Sequence, residues 1–187
     1  LQKEWLPKHC PGRRVLGILV PTVEAVTGAA WQGQKVTNGA PMHAVIFATP
    51  ATVSSHAYTH EIAKRNPAVH VVEQACPTLV PLIEQGAHPD VIKAEVTKCV
   101  DEARAQSAVW PPDVVVLGCT HYALIADLFK EQTHGAVVYA QGALTADAFV
   151  RYLERHPDMK ARCGTAGTWD AFTTGDAGAV STLATHF

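Results

Sequence analysis

The sequence has no long apolar run, no long basic run and no closely spaced pair of cysteines. Its longest apolar stretches, such as residues 15–23, fall well short of the roughly 20 residues that a membrane helix needs. Its formal net charge is -2, and no basic run exceeds the Arg13-Arg14 pair. These absences argue against a membrane protein and against a surface that binds nucleic acid or anionic lipid.

The five cysteines are odd in number and scattered, at positions 10, 76, 99, 119 and 163. This spacing is not typical of a disulfide-stabilised scaffold or of a structural zinc site, so we expect a reducing, cytoplasmic setting. The chain begins at Leu1 without a charged segment and an apolar segment ahead of a cleavage site, and we therefore expect no signal peptide. A start at Leu1 also predicts that further sequence lies upstream.

The 187 residues, 48% of them hydrophobic, suit one globular domain or two small ones. Short apolar runs alternate with segments of helical periodicity, which predicts an α/β fold with a parallel sheet and helices on both of its faces. The predicted strands cover residues 14–21, 43–48, 69–75, 113–118 and 136–140, with a further strand around 169–173. The predicted helices cover residues 53–65, 78–85, 91–107, 122–130 and 144–155, with a short terminal helix after Asp176.

Ligands of such folds bind beyond the carboxyl ends of the strands. Residues 49–52, Cys76-Pro77 and residues 118–121 follow predicted strands, so we expect them at one edge of the sheet. Cys119 lies between a strand and a helix, where backbone N–H groups and the helix dipole favour a thiolate. A buried structural cysteine beside a surface histidine fits the same residues.

Four other residues, like Cys119, fit either a functional role or a structural one. Thr49 and Thr52 are spaced to hold a carboxylate at a helix start, or only to cap that helix. Cys76 is more typical of a small buried apolar residue, and Glu84 of a solvated one. Cys119 and His121 are two metal-ligand types without a second pair, so we predict no metal site.

Residues 115–122, Val-Val-Leu-Gly-Cys-Thr-His-Tyr, strongly resemble the second cysteine motif of bacterial glutamate racemases. Residues 46–55 with Tyr58 resemble the family's Thr-x-x-Thr-Val segment, and residues 74–84 its Ala-Cys-Pro-x-x-Val-Pro segment. Residues 173–176 resemble its closing Thr-Gly-Asp. The four matches occur in the family's order across about 130 residues.

The resemblance implies an aspartate/glutamate racemase-like fold of two pseudosymmetric α/β domains, with glutamate bound in the cleft between them. It implies an isomerase that interconverts L- and D-glutamate for peptidoglycan precursors without pyridoxal phosphate or another cofactor. Two thiols on opposite faces of the α-carbon exchange its proton in this chemistry.

The resemblance also implies roles for six residues of this chain. Cys119 is the acid/base of one face, and His121 is its neighbour in proton transfer and a substrate contact. Thr49, Thr52 and Thr120 bind the substrate's carboxylate or amino group. Glu84 helps to hold the thiol and the histidine in place.

The chain departs from the family pattern in lacking the N-terminal Asp-Ser-Gly strand end and the Cys-Asn-Thr motif that carries the first thiol. Cys10 lies in a Pro/Gly loop and cannot substitute for that thiol. The expected domains are therefore a remnant of the first domain with a crossover strand over 1–21, a complete second domain over 22–140, and a return into the truncated first domain over 141–187. We expect little or no racemase activity from this chain alone.

Three other functions remain open at this point. The first is a related racemase that acts on aspartate or a hydantoin. The second is a non-catalytic remnant that binds a carboxylate or a protein, because a truncated first domain leaves apolar surface uncovered and favours association; a homodimer is one such assembly. The third is a single-thiol enzyme in which Cys119 acts as a nucleophile with His121.

Overall fold

The computed structural model of the chain describes residues 4–30, 33–36, 39–164, 167 and 172–184, and its centre is one parallel sheet. The strands are β1 (Met42–Ala48), β2 (Val69–Ala75), β3 (Val114–Leu117) and β4 (Val137–Ala140), in the spatial order β2-β1-β3-β4. Each strand matches a predicted one, and the α/β fold with a parallel sheet is confirmed.

Helices precede, connect and follow these strands. They are α1 (Trp5–His9), α2 (Leu19–Thr27), α3 (Pro50–Ser55), α4 (Ala57–Arg65), α5 (Leu79–Glu84), α6 (Pro89–Gln106), a 3₁₀ helix (Thr120–Ile125), α7 (Ala126–Gln132), α8 (Gln141–Arg155), α9 (Pro157–Ala161) and α10 (Ala177–Ala184). No helix in the described part of the chain is long and apolar enough to cross a membrane.

The strand register brings the carboxyl ends of the strands together. Ala48 of β1 pairs with Ala75 of β2, and the neighbouring Phe47 pairs with Leu117 of β3. Leu117 in turn pairs with Ala140 of β4. The residues that follow the four strands therefore lie along one edge of the sheet.

Both faces of the sheet are covered, because successive side chains of a strand point to opposite faces. Val45, Phe47 and Leu117 contribute to a core under α5, α6 and α7. Ala44 and Ile46 contribute to a second core under α2 and α4. All four residues of β3 are buried, as expected for a β-branched central strand of a parallel sheet.

The strand predicted over residues 14–21 is wrong, because this segment leads into helix α2. Pro21 lies in the first turn of α2, where a missing N–H group costs no intrahelical hydrogen bond. Val23 and Val26 of the helix are buried in the second core. The apolar side chains of Val15 and Leu16 are exposed instead of entering the sheet.

Two predicted helices have different boundaries in the structure. The helix expected over 53–65 is divided into α3 and α4 by His56, whose φ of 50° is left-handed and ends the first helix. The helix expected over 122–130 begins as the 3₁₀ helix and continues as α7. Both changes occur beside the sheet edge at which the strands end.

The end of the chain is partly outside the described residues. The strand expected around 169–173 falls on 169–171, which lie outside them, and on 172–173, which have no regular structure. The terminal helix expected after Asp176 is confirmed as α10. Helix α8 packs against α2; the predicted division into domains remains a prediction.

Replacing Phe129 with alanine should lower the free energy of unfolding by about 3–5 kcal/mol, because its fully buried ring is lost and a cavity remains. The ring centroids of Phe129 and Phe47 lie 4.8 Å apart in the first core. Phe149→Ala is the matched control, since Phe149 is 46% exposed and its loss should change stability by less than about 1 kcal/mol. Equal urea midpoints for the two variants would contradict the assignment of Phe129 to the core.

Candidate active site

The residues predicted at the sheet edge follow three neighbouring strands. Thr49 follows β1, Cys76 follows β2, and Gly118 and Cys119 follow β3. The pairing continues past the strands, since the Cys76 N–H donates to the Ala48 carbonyl at 2.9 Å and the Gly118 N–H to the Phe47 carbonyl at 2.8 Å. The structure thus places the three predicted segments side by side.

Gly118 allows β3 to lie close to β1 at this edge. A Cβ atom at position 118 would lie 3.1 Å from the Ala48 Cβ and 3.3 Å from the Phe47 carbonyl oxygen. Both are rigid parts of the neighbouring strand, so a side chain would push the strand ends apart. The absence of a side chain at Gly118 therefore keeps Cys119 close to the end of β1.

Cys119 is the N-cap residue of the 3₁₀ helix and is half-buried. Its carbonyl accepts a hydrogen bond from the Tyr122 N–H at 3.1 Å, which closes the first turn of that helix. The same turn brings the Cys119 Sγ to 3.9 Å from the Nδ1 of His121. A thiol and an imidazole therefore face each other at the end of a central strand.

His121 also lies beside a carboxylate from another element. Its Nε2 is 3.0 Å from the Oε1 of Glu84, the last residue of α5. A carboxylate accepts hydrogen bonds, so the tautomer with its hydrogen on Nε2 suits this contact and leaves the Nδ1 lone pair on the side of the Cys119 sulfur. A thiol, an imidazole and a carboxylate thus lie in series.

The three predicted threonines differ in their surroundings. Thr49 is the N-cap of α3, and its Oγ1 lies 3.1 Å from the Thr52 Oγ1 and 3.4 Å from the Thr52 nitrogen. The capping contact expected of such a pair is therefore present, and both residues remain half-buried at the edge. Thr120 is exposed and immediately follows Cys119. Their substrate-binding roles remain proposals.

Cys76 differs from Cys119 although both follow a strand at the same edge. Its thiol is buried, and a hydrogen bond with the Cys99 thiol, reinforced by burial, raises its pKa well above the ordinary value. A thiol in this state stays protonated at neutral pH and is unreactive. The structure favours the interpretation of Cys76 as a small buried residue.

The structure also identifies residues at the edge that the sequence interpretation passed over. Tyr122 is fully buried and its hydroxyl donates to the Cys76 carbonyl at 2.9 Å; burial raises the pKa of this phenol, so the hydroxyl keeps its hydrogen. Gln141, directly after β4, is buried and bonds to the hydroxyls of Thr22 and Tyr58. Position after a strand end was the signal available for Gln141.

No three His, Cys, Asp or Glu side chains within the described ranges come together in a way that would hold a metal ion. Of the remaining cysteines, Cys99 is buried in α6, Cys10 follows α1 and Cys163 is exposed. Within the part of the chain that the structure describes, Cys119 is the cysteine at the sheet edge whose thiol lies beside a basic side chain, the imidazole of His121.

Both the sequence and the structure of the chain are similar to those of glutamate racemases. The chain is 40% identical to the glutamate racemase of Phenylobacterium zucineum and 38% identical to that of Caulobacter sp. strain K31, over the whole chain and 68% of each relative. The glutamate racemase of Thermus thermophilus in complex with β-chloro-D-alanine matches 97% of the chain and 62% of its own length at 26% identity, with a TM-score of 0.64. No family model matches the chain.

A second solved structure agrees on the fold. The glutamate racemase of Francisella tularensis in complex with D-glutamate matches 80% of the chain and 49% of its own length at 20% identity, with a TM-score of 0.61. The fold and the relatives define an amino-acid racemase, a class of isomerases. Within that class, the chain belongs to the glutamate racemase family, and it spans about two thirds of the length of the curated relatives it matches.

Gly118→Ala should destabilise the protein by about 1–3 kcal/mol, because the new methyl group meets the rigid end of β1. Gly142→Ala is the matched control: no atom lies within 4 Å of its added Cβ, and in helix α8 alanine should raise stability by up to about 1 kcal/mol. Urea unfolding measures both. Equal effects would show that the close approach at Gly118 does not constrain the edge.

Glu84→Gln should slow the reaction of the Cys119 thiol with iodoacetamide at pH 7. The amide keeps the shape of the side chain but removes the negative charge that would stabilise a positively charged His121 ring if Nδ1 took the thiol proton. We expect a decrease of about tenfold, below the ~10²–10⁴-fold effect of a complete general base. Mass spectrometry of the Cys119 peptide measures the rate.

The control for this measurement is Glu131→Gln, which removes a half-exposed carboxylate paired with Lys93. That variant should leave the alkylation rate of Cys119 unchanged. A rate in Glu84→Gln equal to that of the control would show that Glu84 does not influence the thiol through His121.

Proposed function

We propose that this chain supplies one acid/base face of a cofactor-independent glutamate racemase, which interconverts L- and D-glutamate. The observation that carries the proposal is the series Cys119–His121–Glu84 at the carboxyl edge of the sheet, with distances of 3.9 Å and 3.0 Å between successive side chains. Membership of the glutamate racemase family supports glutamate as the substrate. The alternatives of aspartate or a hydantoin belong to the same chemistry.

The proposed step moves the α-proton of glutamate to the Cys119 thiolate. The C–H electron pair stays on the α-carbon and is delocalised into the adjacent carboxylate, which gains negative charge. His121 accepts the proton of the resting thiol through Nδ1, and Glu84 stabilises the charged ring. Hydroxyl donors placed where this charge develops lower the barrier, which is the proposed role of Thr49, Thr52 and Thr120.

Inversion needs a second acid on the opposite face of the α-carbon. Cys76 does not supply it, because its thiol is buried, donates to the Gln74 carbonyl at 3.9 Å and has a raised pKa. The family's Cys-Asn-Thr motif is absent from the sequence. We therefore propose that the chain alone has little racemase activity and that a protein with both faces is the racemase.

The same proposal sets the biological context. D-glutamate made in this way supplies peptidoglycan precursors, which places the enzyme in the cytoplasm and links it to cell-wall formation and cell shape. Association as a homodimer belongs to this proposal as well.

Cys119→Ser should strongly slow exchange of the α-proton of glutamate with solvent deuterium. The test uses this chain joined to the remaining third of the Phenylobacterium zucineum relative, so that both faces are present. Loss of this acid/base group should reduce deuterium incorporation by ~10²–10⁴-fold for the enantiomer whose α-proton faces Cys119. Proton NMR of the α-position in D₂O measures the rate.

Cys163→Ser is the control, because Cys163 is exposed and follows α9; its exchange rate should equal that of the unchanged protein. Undiminished exchange in Cys119→Ser would rule out the proposed thiol role. A covalent thioester on Cys119 after incubation with an acyl substrate would instead support a nucleophilic enzyme. Faster exchange of aspartate or a hydantoin than of glutamate would reassign the substrate.

A further inference from the structure

Tyr122 lies one residue after His121, and its side chain belongs to the first core. Its side chain is fully buried, and its hydroxyl donates to the backbone carbonyl of Cys76 at 2.9 Å. That carbonyl belongs to the connection between β2 and α5. The contact therefore joins the segment that carries Cys119 and His121 to a segment far away in the sequence.

The Tyr122 end of this contact is firmly held. The Tyr122 N–H donates to the Cys119 carbonyl at 3.1 Å, within the turn that contains the thiol. The ring lies 6.1 Å from that of Phe129, which packs 4.8 Å from Phe47 of β1. The Tyr122 ring is therefore packed in the first core, and its backbone is bonded within the turn that contains Cys119.

The Cys76 end is equally fixed. The Cys76 N–H is bonded to the Ala48 carbonyl at the end of β1, and the residue itself is buried. Three residues later α5 begins at the fully buried Leu79, and this helix ends at Glu84. Cys76, whose carbonyl Tyr122 binds, thus lies at the beginning of the segment 76–84. Glu84, the partner of His121, lies at its end.

Helix α5 is consequently joined to the 3₁₀ helix at both ends. Tyr122 and Cys76 join them at the start of the α5 segment, and His121 and Glu84 join them at its end. The first contact is buried and the second is partly open to solvent, with Glu84 43% exposed. A buried hydrogen bond holds its geometry more strictly than a solvated ion pair.

We propose that Tyr122 is a positioning residue, whose hydroxyl bond to the Cys76 carbonyl sets the distance of Glu84 from His121 and so orients the imidazole beside the Cys119 thiol. Only the effect of Tyr122 on catalysis rests on the proposed function. The geometric effect of the hydroxyl is measurable whether or not the protein racemises glutamate.

The test compares Tyr122→Phe with the unchanged chain by the ¹⁵N signals of the His121 ring. Phenylalanine keeps the buried ring and removes only the hydroxyl. The two ring nitrogens should shift toward the values seen in Glu84→Gln, because the carboxylate moves away from Nε2. Incorporation of 4-aminophenylalanine at position 122, which restores an N–H donor, should return the signals toward those of the unchanged chain.

The control is Tyr152→Phe, since the Tyr152 hydroxyl in α8 is buried and has no hydrogen-bond partner among the residues that the structure describes. It should leave the His121 signals unchanged. If Tyr122→Phe also leaves them unchanged while the protein remains folded by circular dichroism, the proposal is wrong, and Tyr122 serves only to fill the core. Measurement at 10 °C keeps the comparison valid if the variant melts at a lower temperature.

A second measurement separates the proposal from the proposed function. In the chain extended to both faces, Tyr122→Phe should lower kcat for glutamate exchange by about tenfold and change KM by less than about twofold, because it disturbs the acid/base group and not the binding hydroxyls. Shifted His121 signals in a protein that exchanges no glutamate would uphold Tyr122 and reject the racemase proposal. Unshifted His121 signals in an active racemase would reject the role of Tyr122 and uphold the racemase proposal.

Discussion

The parallel pairing of β1 with β2 on one side and with β3 on the other is the constraint on which the candidate site depends. Parallel strands in register end at the same edge of a sheet, so residues that are distant in sequence follow one another along that edge. Gly118 lets the ends of β1 and β3 approach closely. With a different register, the Cys119 thiol and the hydroxyls of Thr49 and Thr52 would not share a surface.

Hydrogen bonds beyond the strand ends also hold the segments that follow the strands next to one another. Cys76 is bonded to β1 through its N–H and to Tyr122 through its carbonyl, and Glu84 faces His121 from the far end of α5. Each segment that carries a polar side chain is thus attached to another such segment. An acid/base site functions best when its groups are held before substrate arrives, since reorganisation then adds little to the barrier.

The two cysteines at this edge show how surroundings decide chemistry within the glutamate racemase family fold. Cys76 is buried against a second thiol, which raises its pKa, whereas Cys119 is half-exposed beside an imidazole that faces a carboxylate. The same side chain after the same kind of strand is therefore inert in one place and suited to proton transfer in the other. In the proposed function, one such thiol would serve one face of the substrate's α-carbon.

The β-branched runs of β1 to β4 and the turn residues between them sufficed to predict the parallel sheet and the edge at which Cys119 lies, because both depend on local sequence. The segment over 14–21 was assigned incorrectly, since a short apolar run fits a strand or a helix and only packing against the second core selects α2. Local patterns do not predict the partners of His121 and Tyr122, and the family resemblance alone pointed to Glu84. Glu84 and the Cys76 carbonyl reach them only after the sheet has brought α5 and the 3₁₀ helix together, so these contacts are consequences of tertiary packing.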